Sequence, residues 1–159
     1  MKYKLVAFWL VVFGALFAFL QTRFEYHFYY IEQSQLFLFT EAYIRNKLLL
    51  PGGFSMLVAE FLVQFFIRPY VGALVTAALL TGVGVCTAGI VKRIAPISGL
   101  FILYVLPMLA LLFMHFDFNY RVQGTVCYLM MMALLCGYMR IRNELFRLVA
   151  GCVLVPVLF

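Results

Sequence analysis

The stretch VGALVTAALLTGVGVCTAGIV, residues 71–91, holds 21 consecutive residues without a charge and ends on the basic pair Lys92-Arg93. A bilayer core about 30 Å thick is crossed by about 20 helical residues, so this stretch is long enough to span one. Ala73, Ala77, Thr81, Val85 and Ala88 fall on one mostly small face at near-helical spacing, with Thr76, Gly84 and Gly89 beside it. Such a face lets helices approach closely where no hydrophobic force drives them together. The stretch therefore predicts a transmembrane helix packed against others.

Four further apolar segments lie around it, at residues 5–20, 96–114, 122–139 and 145–159. The segments 96–114 and 122–139 are also long enough to span if their polar ends count. The 16-residue run 5–20 is shorter, but it can borrow Gln21 and Thr22 while Lys2 and Lys4 snorkel outward. Bulky Phe19 and Leu20 stand where a signal peptidase would need small residues, so the run reads as an uncleaved signal anchor. The fifth segment carries Arg147 near its start and ends at Phe159 with no polar flank. We therefore expect a longer parent chain of which this is the N-terminal part.

Composition agrees with this reading. Of 159 residues, 67% are apolar and 11% charged, against about 45–50% and 25% in soluble domains. A chain this short cannot hide so much apolar surface inside itself. The predicted class is all-α: one polytopic membrane domain over residues 1–159, with four to five spans. Its net charge of +6 does not indicate a nucleic-acid partner, because Lys and Arg are scattered between apolar runs rather than gathered on one stripe. Cys86, Cys127, Cys136 and Cys152 all sit inside apolar runs, without metal-pair spacing, and read as small packing residues.

The charges also orient the chain. With the N-terminus inside, the cytoplasmic positions hold Lys2, Lys4, Lys92, Arg93, Arg140, Arg142 and Arg147, seven basic residues against the single acid Glu144. The outer side holds five basic residues against five acids, so all the net positive charge lies inside. The expected location is a bacterial plasma membrane with a cytoplasmic N-terminus and the lipid bilayer as partner.

Residues 21–70 form the one long connection, and it is too apolar for a water-soluble loop. Residues 24–50 mix aromatic clusters with Glu, Gln and Arg, as expected of helix lying in the headgroup layer. Pro51-Gly52-Gly53 breaks that helix, and residues 54–67 make a second apolar helix of 14 residues before Pro69. That helix is re-entrant, interfacial or merged with its neighbour. Glu60, Gln64 and Arg68 fall at i, i+4 and i+8 on it, one polar stripe that must face protein or water.

Ionisable groups at membrane depth are costly, which makes them candidates for function or for structural ion pairs. Glu41 and Arg45 have the spacing of a helix-surface pair, and Glu60 with Arg68 that of a structural clamp or a site. Interfacial hydrogen bonding accounts for His27 and His115, and Asp117 and Arg121 sit in a solvated turn. No Ser/His/Asp order, metal-ligand spacing or phosphate loop appears, and no cofactor is specified.

The order of parts over residues 1–93, with Pro51-Gly52-Gly53-Phe54 opening one helix and Pro69-Tyr70-Val71-Gly72-Ala73 opening the next, resembles the start of the GT-C superfamily of lipid-carrier-dependent glycosyltransferases. The chain also looks like an uncharacterised family of bacterial multi-pass membrane proteins, on Glu32-Gln33 and Gln64-Phe65-Phe66. The glycosyltransferase resemblance implies a polyprenyl-phosphate sugar as substrate and a carboxylate base in the first outer loop. Glu32 would be that base, with Arg45, Lys47 or Arg68 on the lipid phosphate and Glu60 and Gln64 beside them. Gln33 stands where such enzymes often carry a second acid. The alternative is a non-enzymatic membrane component, part of a transporter or an assembly subunit, in which Glu60, Gln64 and Arg68 knit helices together.

Overall fold

The computed structural model describes residues 2–94, 101–141 and 148–149. Among the described residues it forms α1 (Lys2–Arg23), α2 (Glu25–Ser34), α3 (Glu41–Leu48), α4 (Gly53–Val63), a 3-10 turn (Gln64–Ile67), α5 (Val71–Ile94), α6 (Phe101–Met114) and α7 (Val122–Tyr138), with no strand. The all-α expectation is met. The expected start of α6 near residue 96 and most of the segment 145–159 lie outside the described residues.

Helix α5 stands at the centre, with α1, α6 and α7 packed around it. Small residues make this possible on more than one side. A Cβ added to Gly84 would lie 2.6 Å from the ring of Trp9 on α1, so the glycine is the notch that seats the tryptophan. Toward α7, Gly82 meets Leu129 and Gly89 meets Cys136. The shared offset between those two pairs makes α5 and α7 parallel. The Cys136 thiol donates to the carbonyl of Cys86 at 3.3 Å, consistent with cysteines acting as packing residues. The buried surface of α5 is broader than the predicted small face. Leu80 and Val83 are fully buried, whereas Val85 is exposed. Several neighbours, rather than one, cover the helix.

Helices α1 and α5 are long and apolar enough to cross a membrane, while α6, α7 and the stretch Gly53–Ile67 are apolar but shorter. Within the apolar window of α1 only 17% of residues are buried, against 56% for α5. Val6, Leu10 and Val11 of α1 and Leu106 and Phe113 of α6 are exposed.

The predicted single helix over 24–50 is broken in two by the non-helical stretch 35–40. The break is held by side chains that reach its freed carbonyls. Gln64 Nε2 donates to the carbonyl of Phe37 at 3.1 Å, and the Tyr43 hydroxyl lies 3.1 Å from the carbonyl of Leu36. The Phe37 ring meets those of Phe39, Tyr43 and Phe61, so apolar burial against α4 replaces the lost helical bonds. The second helix begins where Pro51-Gly52-Gly53 predicts. Gly52 takes φ +69°, a conformation open to glycine, and Ser55 Oγ donates to its carbonyl at 2.7 Å.

Two ends of the bundle result. At one, the end of α1 meets the α6–α7 turn through Phe19, Phe24 and Phe116, and α2 lies against the start of α5, where Gly72 faces Phe28. At the other, Lys92 lies over the Tyr104 ring and Arg93 donates to the carbonyl of Met139.

Candidate functional site

Helices α3 and α4 form a tight hairpin around a carboxylate. Tyr43 and Lys47 lie one turn apart on α3, so their side chains leave the same face and reach α4 together. The Tyr43 hydroxyl donates to Glu60 Oε2 at 2.5 Å, and Lys47 Nζ donates to Glu60 Oε1 at 2.7 Å. The ammonium also lies 5.4 Å from the centre of the Tyr43 ring. Charge-assisted bonds of this length are stronger than neutral ones, and the pair is largely withdrawn from solvent, with side chains 22% and 14% exposed for Lys47 and Glu60. Burial, then the hydrogen bond and charge of Glu60, push the Tyr43 hydroxyl up to about 12, so it remains a donor at neutral pH.

A second polar cluster lies where α6 turns into α7. His115 Nε2 shares a 2.9 Å hydrogen bond with Thr125 Oγ1, and the Tyr120 hydroxyl approaches the same oxygen at 3.1 Å. The His115 ring meets that of Tyr120 edge-on at 5.0 Å. Burial, and then the nearby His27, push His115 down to about 4. His27 is packed among the rings of Phe24, Phe28 and Phe118, and burial lowers it too, partly offset by Asp117. Its Nε2 atom is buried without a hydrogen-bond partner. Among the described residues, no group of three or more His, Cys, Asp and Glu could hold a metal ion.

This cluster makes stability depend on pH. The unfolded histidine takes a proton near pH 6.5, whereas His115 in the fold resists protonation until about 4. Stability is therefore complete above pH 6.5 and falls as pH drops toward 4, by about 3 kcal/mol from this residue. Thermal unfolding in detergent across that range should show the loss. His115→Gln keeps a partner for Thr125 without titrating, and should flatten the slope.

The residues singled out from sequence are not brought together as one site. Lys47 and Glu60 are joined directly, and Gln64 is bound to the Phe37 carbonyl. Arg45 and Arg68 are exposed, and Glu32 is half-buried on α2. Among the described residues, neither Glu41–Arg45 nor Glu60–Arg68 forms an ion pair within 4 Å. The second absence has a geometric reason. The stripe Glu60, Gln64, Arg68 assumes continuous α-helix, but residues 64–67 tighten into a 3-10 turn and Arg68 is extended, with φ −84° and ψ 133°. The tighter winding turns the arginine off the stripe.

Tyr43, Tyr120 and Thr125 were not legible as partners from sequence. Only the i, i+4 spacing of Tyr43 and Lys47, facing a helix across a three-residue break, could have pointed to the first of them.

The model of a family of unknown function, DUF6057, matches residues 1–159, the whole chain. The chain belongs to DUF6057. This answers the expectation of an uncharacterised family. No curated protein and no solved structure matches the chain. In this DUF6057 chain the candidate site is built from its own polar side chains. The arrangement they form is two interhelical knots, one at Glu60 and one at Thr125.

Proposed function

We propose that this DUF6057 chain is a non-enzymatic, multi-pass component of a bacterial plasma membrane, with its N-terminus cytoplasmic and four to five spans. The exposed apolar faces of α1 and α6 support a lipid surrounding, since water would penalise them. The two ends of the bundle support the orientation. Lys4, Lys92, Arg93 and Arg140 belong to the end with excess positive charge, and the acids Glu25 and Asp117 belong to the other. The α2–α4 stretch then forms the outer, interfacial part.

The observation that carries the non-enzymatic reading is the state of Glu60. Both its oxygens are occupied, by Tyr43 and by Lys47, so this half-buried carboxylate holds two helices together. Lys47, a candidate for a lipid phosphate, is committed to the same knot.

A second reading, implied by the resemblance to lipid-carrier glycosyltransferases, has Glu32 as base and Arg45 or Arg68 on the phosphate of a polyprenyl-phosphate sugar. Contact between α2 and the 3-10 turn supports it, because α2 carries Glu32 and the turn ends one residue before Arg68. Sugar transfer by the purified chain in nanodiscs, from a labelled polyprenyl-phosphate donor, separates the two. We expect no transfer above a protein-free blank. Transfer that Glu32→Gln abolishes, with the variant still folded, would overturn the non-enzymatic reading.

A further inference from the structure

A groove of about 900 Å³ opens between α1, α5 and α7, within the range of about 300–1,000 Å³ over which cavities bury small ligands. Its walls are apolar. Leu5 and Trp9 of α1 face Gly82 of α5 and Ala133 of α7 across it, and among the described residues no acidic side chain lines it. Lys92 and Arg140 also line it, and each closes its own helix near the same end of the bundle. The hydrogen bond from Arg93 to the Met139 carbonyl ties those two helix ends together, which keeps the cations beside the groove rather than splayed apart. Among the described residues, neither Lys92 nor Arg140 has a carboxylate within ion-pair reach.

A long apolar trough with cations at one end matches an amphiphile with an anionic head and an apolar tail. We propose that this groove holds an acyl chain of an anionic phospholipid, with the phosphate taken by Lys92 and Arg140. The inference rests on the membrane reading above and adds to it a lipid site that reaches the end of the bundle where Arg93 binds the Met139 carbonyl. Arg140 can meet a phosphate with two parallel N–H bonds, while Lys92 contributes a point charge held near the Tyr104 ring. A zwitterionic lipid fills the trough equally well but gains less from the cations, since its own ammonium opposes them.

Trp9 makes the test direct. It is the chain's single tryptophan, it lines the groove, and it is only 8% exposed. The full chain is placed in phosphatidylcholine vesicles that contain either brominated phosphatidylglycerol or brominated phosphatidylcholine at equal mole fraction. Trp9 fluorescence then reports which lipid enters.

Stronger quenching by the anionic lipid is expected. Lys92→Gln or Arg140→Gln should each weaken that preference about fivefold, the Boltzmann factor for one basic group near an anionic lipid surface. Ala133→Phe, which fills the groove without changing charge, should reduce quenching by both lipids. An unchanged emission maximum in lipid-free detergent shows that each variant is folded.

Equal quenching by the two lipids in the parent protein overturns the proposal, because the cations then select nothing. Absence of quenching by either lipid also overturns it, since protein then fills the groove. Both outcomes leave the membrane reading standing if the chain stays with the vesicles after an alkaline carbonate wash. Release by that wash sinks the membrane reading itself.

Discussion

Gly53→Ala is expected to destabilise the protein by about 3 kcal/mol or more, at or above the upper end of the usual cost of overpacking. A Cβ at this position would lie 1.9 Å from the carbonyl oxygen of Lys47, 2.8 Å from its carbonyl carbon and 3.1 Å from Leu48 Cα. All three are backbone atoms, so no side chain can rotate aside. Gly53 also donates its N–H to the Leu50 carbonyl at 2.9 Å, which pins it inside the turn between α3 and α4. Relief requires the hairpin to open, and opening draws Lys47 away from Glu60. The alanine therefore costs both the steric strain and part of the polar knot.

Two neighbouring glycine changes calibrate the result. Gly52→Ala meets only Ser55 Oγ at 3.7 Å and suffers from its φ of +69° alone, a penalty of about 1 kcal/mol. Gly14→Ala lies inside α1 with nothing within 4 Å and should stabilise by about 0.5–1 kcal/mol through helix propensity. Unfolding midpoints in one detergent should rank the three in that order. Equal effects of Gly53→Ala and Gly52→Ala would show that the hairpin is looser than its geometry.

Glu60→Leu is expected to cost about 2–3 kcal/mol. Removing one partner of a buried ion pair costs about 3–5 kcal/mol, and the 22% and 14% exposure of Lys47 and Glu60 brings the figure down. The loss comes mainly from what remains, an ammonium largely withdrawn from water without its carboxylate, while the Tyr43 hydroxyl can turn to the Leu36 carbonyl. The double variant Lys47→Leu/Glu60→Leu should therefore recover to within about 1 kcal/mol of the parent, since apolar groups of similar volume often replace such a pair at little cost. A double variant as unstable as the sum of the two singles would show no coupling between them. The Tyr43 hydroxyl adds a second readout. Without Glu60 it loses the hydrogen bond and charge that raise it, so its titration should move down from about 12.

The helical class was legible because apolar runs of helical length are a local property. The run 71–91 emerged as the helix Val71–Ile94, and Pro51-Gly52-Gly53 emerged as the turn before α4. The break at residues 35–40 was not legible. Nothing local opposes helix there, and what wins is the contact of Phe37 with Phe61 and Gln64, residues more than 20 positions away. The candidate site was legible only as an inventory. Glu60, Lys47, Gln64, Arg45, Arg68 and Glu32 were all visible as polar groups in an apolar stretch, but their pairing was not, because a side chain's partner depends on how two helices dock.

The two knots show the division. Helix positions, the polar stretch 21–70 and the positive end of the bundle are written in residue type and spacing, since propensity, hydropathy and charge act over a few residues. That Glu60 binds Tyr43 and Lys47 rather than Arg68, and that His115 finds Thr125 ten residues on, is decided by the tertiary fold. A 3-10 turn of four residues is enough to swing Arg68 off its stripe, and a glycine with no Cβ is enough to bring α3 onto α4. A hydrogen bond forms only over about 2.7–3.2 Å, so only the docked helices determine which polar groups meet.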